Sequence, residues 1–96
     1  MIVYAPRALD DLRAIETYIQ ERNPAAAKRV LEQIKRTIEM LGVFPFVGVV
    51  VNEDGDRRIG VARYPYLVFY HQAEGDIFID HIRHTAQRPI DPGTEL

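Results

Sequence analysis

The residues of this chain with the most chemistry to offer are three histidines, His71, His81 and His84, and the arginines scattered around them. Arg57, Arg58 and Arg63 come before the histidines, and Arg83 and Arg88 flank the last of them. With His84 these arginines would form a cationic patch able to work on a phosphate. Imidazole can move a proton there, and guanidinium can stabilise charge developing on the phosphoryl oxygens. The plainer reading makes them solvated sheet-edge residues, paired with Glu53, Asp54, Asp56 or Asp80 in surface contacts that contribute little. Residue types alone favour the plainer reading.

Metal binding is not expected. The chain has no cysteine, so thiolate ligands and disulfides are both excluded. His81 and His84 are three apart on a predicted strand and point to opposite faces. A site would need His71 with carboxylates such as Asp80, brought together by chance. No Gly-rich phosphate loop, no Gly-x-Ser-x-Gly elbow and no cysteine nucleophile occurs. No cofactor is expected either.

The elements that must position these groups are legible in the pattern of apolar residues. Residues 1–4 are a short apolar run cut off by Pro6, which suits the first turn of a helix because its missing N–H costs nothing there. Asp10 and Asp11 sit near that turn, on the favourable side of the helix dipole. Leu9, Leu12, Ile15, Tyr18 and Ile19 recur at helical spacing as one apolar stripe. Asn23-Pro24 then ends this helix near Arg22 and starts another, Asn as cap and Pro as first helical residue. Ala27, Val30, Leu31, Ile34, Ile38 and Leu41 form the apolar face of the second helix, and Gly42 with Pro45 stops it. Two amphipathic helices with so short a break predict an antiparallel hairpin.

Residues 43–51 read as a packed irregular connection, with an edge strand at residues 49–51, and residues 52–56 read as a turn. Three strands follow, at residues 57–63, within residues 64–71 and at residues 77–84, the middle one rich in β-branched and aromatic residues. The order is β-α-α-β-β-β, an α+β domain with a helical hairpin packed on a small, mainly antiparallel sheet. If Glu74-Gly75 is a two-residue hairpin loop, Leu67 faces Ile82. Leu67, Phe69 and His71 then share one face with Phe78, Asp80, Ile82 and His84, and Tyr66, Val68 and Tyr70 share the other with Ile77, Ile79 and His81. A slip of one residue reverses that assignment in the last strand. Both faces are apolar around the middle strand, and two helices can cover only one. A partner or long loops must cover the second.

The totals bound the rest. A chain of 96 residues makes one domain, here residues 1–88 with a Pro-containing tail at residues 89–96. Hydrophobic content of 47% and charged content of 27% fit a folded chain. Twelve basic against fourteen acidic residues give a net charge of −2, which argues against direct, non-specific grip on nucleic acid. The N-terminus carries no basic segment followed by a long apolar run, so neither a signal peptide nor a membrane helix is expected and the cytoplasm is the default.

Pro6-Arg7-Ala8-Leu9-Asp10-Asp11-Leu12, Tyr18-Ile19 and Asn23-Pro24-Ala25-Ala26 resemble the opening of RelE/ParE-superfamily toxins of type II toxin–antitoxin systems. The likeness continues through Phe44-Pro45, Gly48, Arg58, residues 66–70, Ile82-Arg83-His84-Thr85 and Arg88-Pro89, over nearly the whole chain and in order. It implies a small toxin neutralised by a cognate antitoxin. RelE-like members are ribosome-dependent mRNA endonucleases, whereas ParE-like members poison DNA gyrase without being enzymes. The nucleases carry an arginine in the middle strand where this chain has Leu67, and of their basic pair in the preceding strand only Arg58 is kept, Gly60 standing at the second position. The arginine near their C-terminus falls near Ala86. The resemblance thus favours the ParE-like, non-enzymatic branch. The alternatives are a nuclease using Arg58, Arg83 and His84, with ribosome and mRNA as partners, and an inactive homologue that only binds the antitoxin. Arg58, Arg83, His84 and Arg88 are the candidate contacts to a target. Leu67, Phe69, Phe78 and Ile82 are the candidate antitoxin-binding residues.

Overall fold

Asn23 is the hinge of the helical layer. In the computed structural model, which describes residues 1–86, its extended backbone (φ −156°, ψ 88°) separates α1 (Pro6–Arg22) from α2 (Pro24–Leu41). Its side-chain oxygen accepts the Ala26 N–H at 3.2 Å, satisfying one of the orphan donors at the start of α2. Arg22 closes the other end of the junction by donating to the Tyr18 carbonyl at 2.9 Å. Gly42 keeps a right-handed conformation (φ −66°), so α2 does not end in a left-handed glycine cap. The turn closes instead through Val43 and Phe44 N–H groups on the Met40 carbonyl, and Pro45 has no N–H to carry the helix further.

Under the helices lies a five-stranded sheet in the order β1-β5-β4-β3-β2. Its strands are β1 (Ile2–Tyr4), β2 (Val49–Val50), β3 (Arg57–Gly60), β4 (Tyr66–Ala73) and β5 (Asp76–His84). β1 runs parallel to β5, and every other pairing is antiparallel. The β-α-α-β-β-β order is as the residue pattern predicts, with the expected edge strand added as β2 after the helices and with β4 between β3 and β5. Glu74 and Gly75 both take positive φ (53° and 82°), the backbone of a two-residue hairpin turn whose twist matches the strands.

The core lies between the sheet and the hairpin. Ala8 and Leu12 of α1 and Val30, Ile34, Ile38 and Leu41 of α2 pack on Val68, Tyr70, Ile77, Ile79 and Ile82. Fully burying an aliphatic side chain of this size stabilises by ~1.5–3 kcal/mol, which makes this layer the main source of stability. The α1 stripe is rotated from the predicted one: Ala8 is buried, while Leu9 is 40% and Tyr18 57% exposed. Asp11 does not sit in the first turn. Its carboxylate reaches the sheet and accepts the Ile82 N–H at 2.9 Å, filling the edge of β5 where β1 has already ended.

The edge strand expected at residues 49–51 forms as β2, but the connection before it is not packed as expected. It is anchored at a few points and otherwise open: Phe44 is 60% and Phe46 66% exposed. The anchor is Tyr70, whose hydroxyl donates to the Pro45 carbonyl and accepts the Gly48 N–H, each at 2.9 Å. Arg57 adds bonds to the carbonyls of Phe46 (3.0 Å) and Gly48 (2.7 Å). Polar fixation of the backbone, not burial of the phenylalanines, holds this connection.

Candidate functional site

The helices cover one face of the sheet and leave the other as the candidate site. Which residues that face presents is set by an irregularity in the β4–β5 ladder. Ala73 pairs with Asp76, His71 with Phe78 and Tyr70 with Ile79, but Phe69 then pairs with His81, not with Asp80. Asp80 is the extra residue of a β-bulge. Beyond it every side chain of β5 changes face relative to an unbroken ladder. Val68 therefore pairs with Ile82, Leu67 with Arg83 and Tyr66 with His84.

The open face carries Leu67, Phe69 and His71 from β4, Phe78, His81 and Arg83 from β5, and Arg58 from β3, which pairs with Phe69. Its centre is a layer of stacked rings. Phe69 and His81 lie parallel with centroids 4.3 Å apart, and His71 and Phe78 stack at 5.1 Å. The Arg83 guanidinium sits 4.8 Å from the centre of the Phe69 ring. Its Nε is buried with no hydrogen-bond partner among the described residues. The result is a half-buried apolar platform with cationic groups at one end, suited to bind the side chains of another macromolecule.

This arrangement corrects one predicted site residue and divides others. Ile82 is not on the platform: it is 2% exposed and belongs to the core, because the bulge turns it inward. Leu67, Phe69 and Phe78 do share the open face, as predicted. Arg58 and Arg83 join them, but His84 does not. It lies on the helix-facing side with its ring edge-on to Tyr66 (5.2 Å), and its Nδ1 accepts the Ala86 N–H. Arg88 falls outside the described residues, as does the tail at residues 89–96. Residue reasoning missed His81, which takes the place opposite Phe69 expected of Asp80, while Arg83 takes the place opposite Leu67 expected of Ile82. The only signal was a polar pair, Asp80-His81, interrupting the apolar alternation of β5.

His81 is also the group on this face whose protonation the fold opposes. Burial first and then Arg7 push its pKa below the usual histidine value, Asp11 pulls it back in part, and Arg83 and Asp80 add smaller opposing effects. A histidine held below its unfolded value of about 6.5 contributes stability that is fully present above that pH and is lost as pH falls through the native value. The melting temperature should therefore fall on acidification below about pH 6.5. The slope should flatten in His81→Phe, measured by calorimetry across a pH series. An unchanged slope would show that His81 does not carry the linkage.

Fold and face together define a small two-layer α+β domain with an unpartnered, ring-lined sheet surface beside an arginine pair. The chain belongs to the ParE toxin family: residues 2–89 match the model described as ParE toxin of type II toxin-antitoxin system, parDE. It is 34% identical over 86 residues to Toxin RelE2 of Caulobacter vibrioides, covering 90% of this chain and 96% of that protein. Its fold is similar to a chain in the solved structure of the chromosomal ParDE TA system from P. aeruginosa, with a TM-score of 0.77 at 20% identity, over 86% of this chain and 92% of the other. The chain is a toxin of a type II toxin–antitoxin system, and its family implies an antitoxin partner. No helix among the described residues is long and apolar enough to cross a membrane.

Proposed function

We propose that this toxin is ParE-like in action: a non-enzymatic cytoplasmic inhibitor of DNA gyrase, neutralised by an antitoxin that docks on the open sheet face. The observation that carries this reading is the placement of the groups a nuclease would need. Arg58 and Arg83 stand on the open face, and His84 leaves the other side of β5. Leu67, flanked by Gly60 of β3 and Arg83 of β5, puts hydrocarbon where the resemblance to the nucleases implies an arginine. General acid–base cleavage needs proton-transfer and charge-stabilising groups within hydrogen-bond reach of one phosphate. The two arginines serve equally well as contacts to a protein target.

Purified toxin should inhibit supercoiling by DNA gyrase, and its expression without antitoxin should trigger DNA-damage signalling. Unaffected supercoiling with intact cellular DNA would overturn the reading. Transcript cuts positioned by the ribosome and lost in His84→Ala would replace it with the nuclease alternative. Absence of any growth defect would point to a homologue that only binds its antitoxin.

The docking part has its own test. Leu67→Asp and Phe69→Asp should each raise the dissociation constant of the antitoxin complex by about thirtyfold, equivalent to ~2 kcal/mol for an interface anchor. Isothermal calorimetry reads the affinity, and circular dichroism confirms that the variants fold. Undiminished affinity in both would place the antitoxin elsewhere.

A further inference from the structure

The bulge that turns Ile82 inward also exposes a set of metal-ligating side chains at the acidic end of the same face. Asp56, just before β3, His71 of β4 and the bulged Asp80 of β5 each offer a donor atom, and these atoms all lie within 4.8 Å of one another. All three residues are half-buried, so neither full solvation nor the core claims them. We propose that Asp56, His71 and Asp80 bind a divalent first-row transition ion such as zinc, with water completing its coordination.

Geometry, charge and donor chemistry each support this. His71 Nδ1 and Asp80 Oδ2 are 2.9 Å apart. Two ligands of one tetrahedral ion with bonds of about 2.0–2.1 Å are separated by about 3.4 Å, so this hydrogen-bonded pair has to open by only about half an ångström to admit it. The third donor, on Asp56, lies within 4.8 Å of the other two and has to move inward by up to about 1.4 Å to reach the same spacing. Asp56 is already oriented: Asn52 Nδ2 donates to its Oδ2 at 2.8 Å, and Asn52 Oδ1 accepts the Asp56 N–H at 3.1 Å. Outer hydrogen bonds of this kind fix ligating carboxylates in established sites. Neither carboxylate is in an ion pair with a lysine or arginine among the described residues. Two negative groups are therefore gathered around one imidazole, and a cation there relieves their repulsion. One imidazole nitrogen with two carboxylate oxygens suits zinc and its neighbours better than magnesium or calcium, which take oxygen alone. The ligands come from three separate stretches of chain, so the ion would also tie β3, β4 and β5 together on the side the helices leave open.

The proposal does not depend on the cellular target or on the antitoxin. Titrating the full-length toxin with zinc chloride in a non-chelating buffer should give saturable binding with a stoichiometry of one and raise the melting temperature. Cobalt(II) should give visible d–d absorption at the same stoichiometry. Asp80→Asn and Asp56→Asn should each weaken zinc binding by at least about tenfold. His84→Ala, remote from the cluster, should leave it unchanged. Asp56 is in a turn, so Asp56→Asn keeps the test valid if Asp80→Asn disturbs the bulge. Absence of saturable zinc heat, or binding that survives both aspartate substitutions, or binding lost in His84→Ala, would overturn the assignment.

Discussion

Gly48→Ala should lower the melting temperature by about 10–25 °C, the effect of a loss of about 2–4 kcal/mol in a domain of this size. A methyl group at this position would lie 2.6 Å from the Tyr70 hydroxyl, 2.7 Å from the Arg58 carbonyl oxygen and 2.8 Å from Tyr70 Cε1. The carbonyl belongs to the backbone of β3 and cannot swing away, and the tyrosine ring is fully buried. Any shift that relieves the overlap also breaks the Gly48 N–H bond to the Tyr70 hydroxyl. That leaves the Gly48 N–H buried without a partner, at about 1–3 kcal/mol, and the Tyr70 hydroxyl with only its bond to the Pro45 carbonyl. Gly60→Ala is the control. Nothing lies within 4 Å of a methyl group built there, and its melting temperature should move by no more than a few degrees. Equal shifts in the two variants, followed by thermal unfolding, would show that crowding at Gly48 is not what fixes residues 43–51.

Ile82→Ala should remove about 2–5 kcal/mol of stability, the range for emptying a well-packed core position. Total stability of a small domain is about 5–15 kcal/mol, so this one change removes a large fraction of it. The reason is the bulge at Asp80. With it, Ile82 stands opposite Val68 beneath the helices; without it, Ile82 would face Leu67 across the open side. Chemical denaturation separates the two. A cost below about 1 kcal/mol together with weaker antitoxin binding would return Ile82 to the platform and remove the bulge from the site's architecture.

That residue also marks how far the sequence could be read. Element order, both helix boundaries at Asn23-Pro24 and the Glu74-Gly75 turn follow from local rules: apolar periodicity, capping chemistry and the backbone freedom of turn residues. Each acts within a few positions of the chain, so one sequence suffices to state it. Leu67, Phe69 and Phe78 were placed on the correct side because the extra residue lies in β5 beyond Phe78, and the alternation along β4 is unbroken. Past the bulge the rule of alternation fails by one residue, and the face of His81, Ile82, Arg83 and His84 changes with it. Nothing in the residue types forces a bulge at Asp80. What accompanies it is tertiary: Asp11 of α1 bonds the Ile82 N–H, and Ile79 and Ile82 both turn toward the helices.

The sequence by itself thus determined the class of domain, the order of its elements and the family to which it belongs. The tertiary structure decided which groups meet. Arg58 and Arg83 came to the open face while His84 went to the other side, and Asp56, residues distant in the chain, was brought to His71 and Asp80. Local preferences act through neighbours in sequence, whereas a strand's register is settled by burial across the whole sheet. One extra residue in β5 is therefore enough to redraw the site without changing the fold.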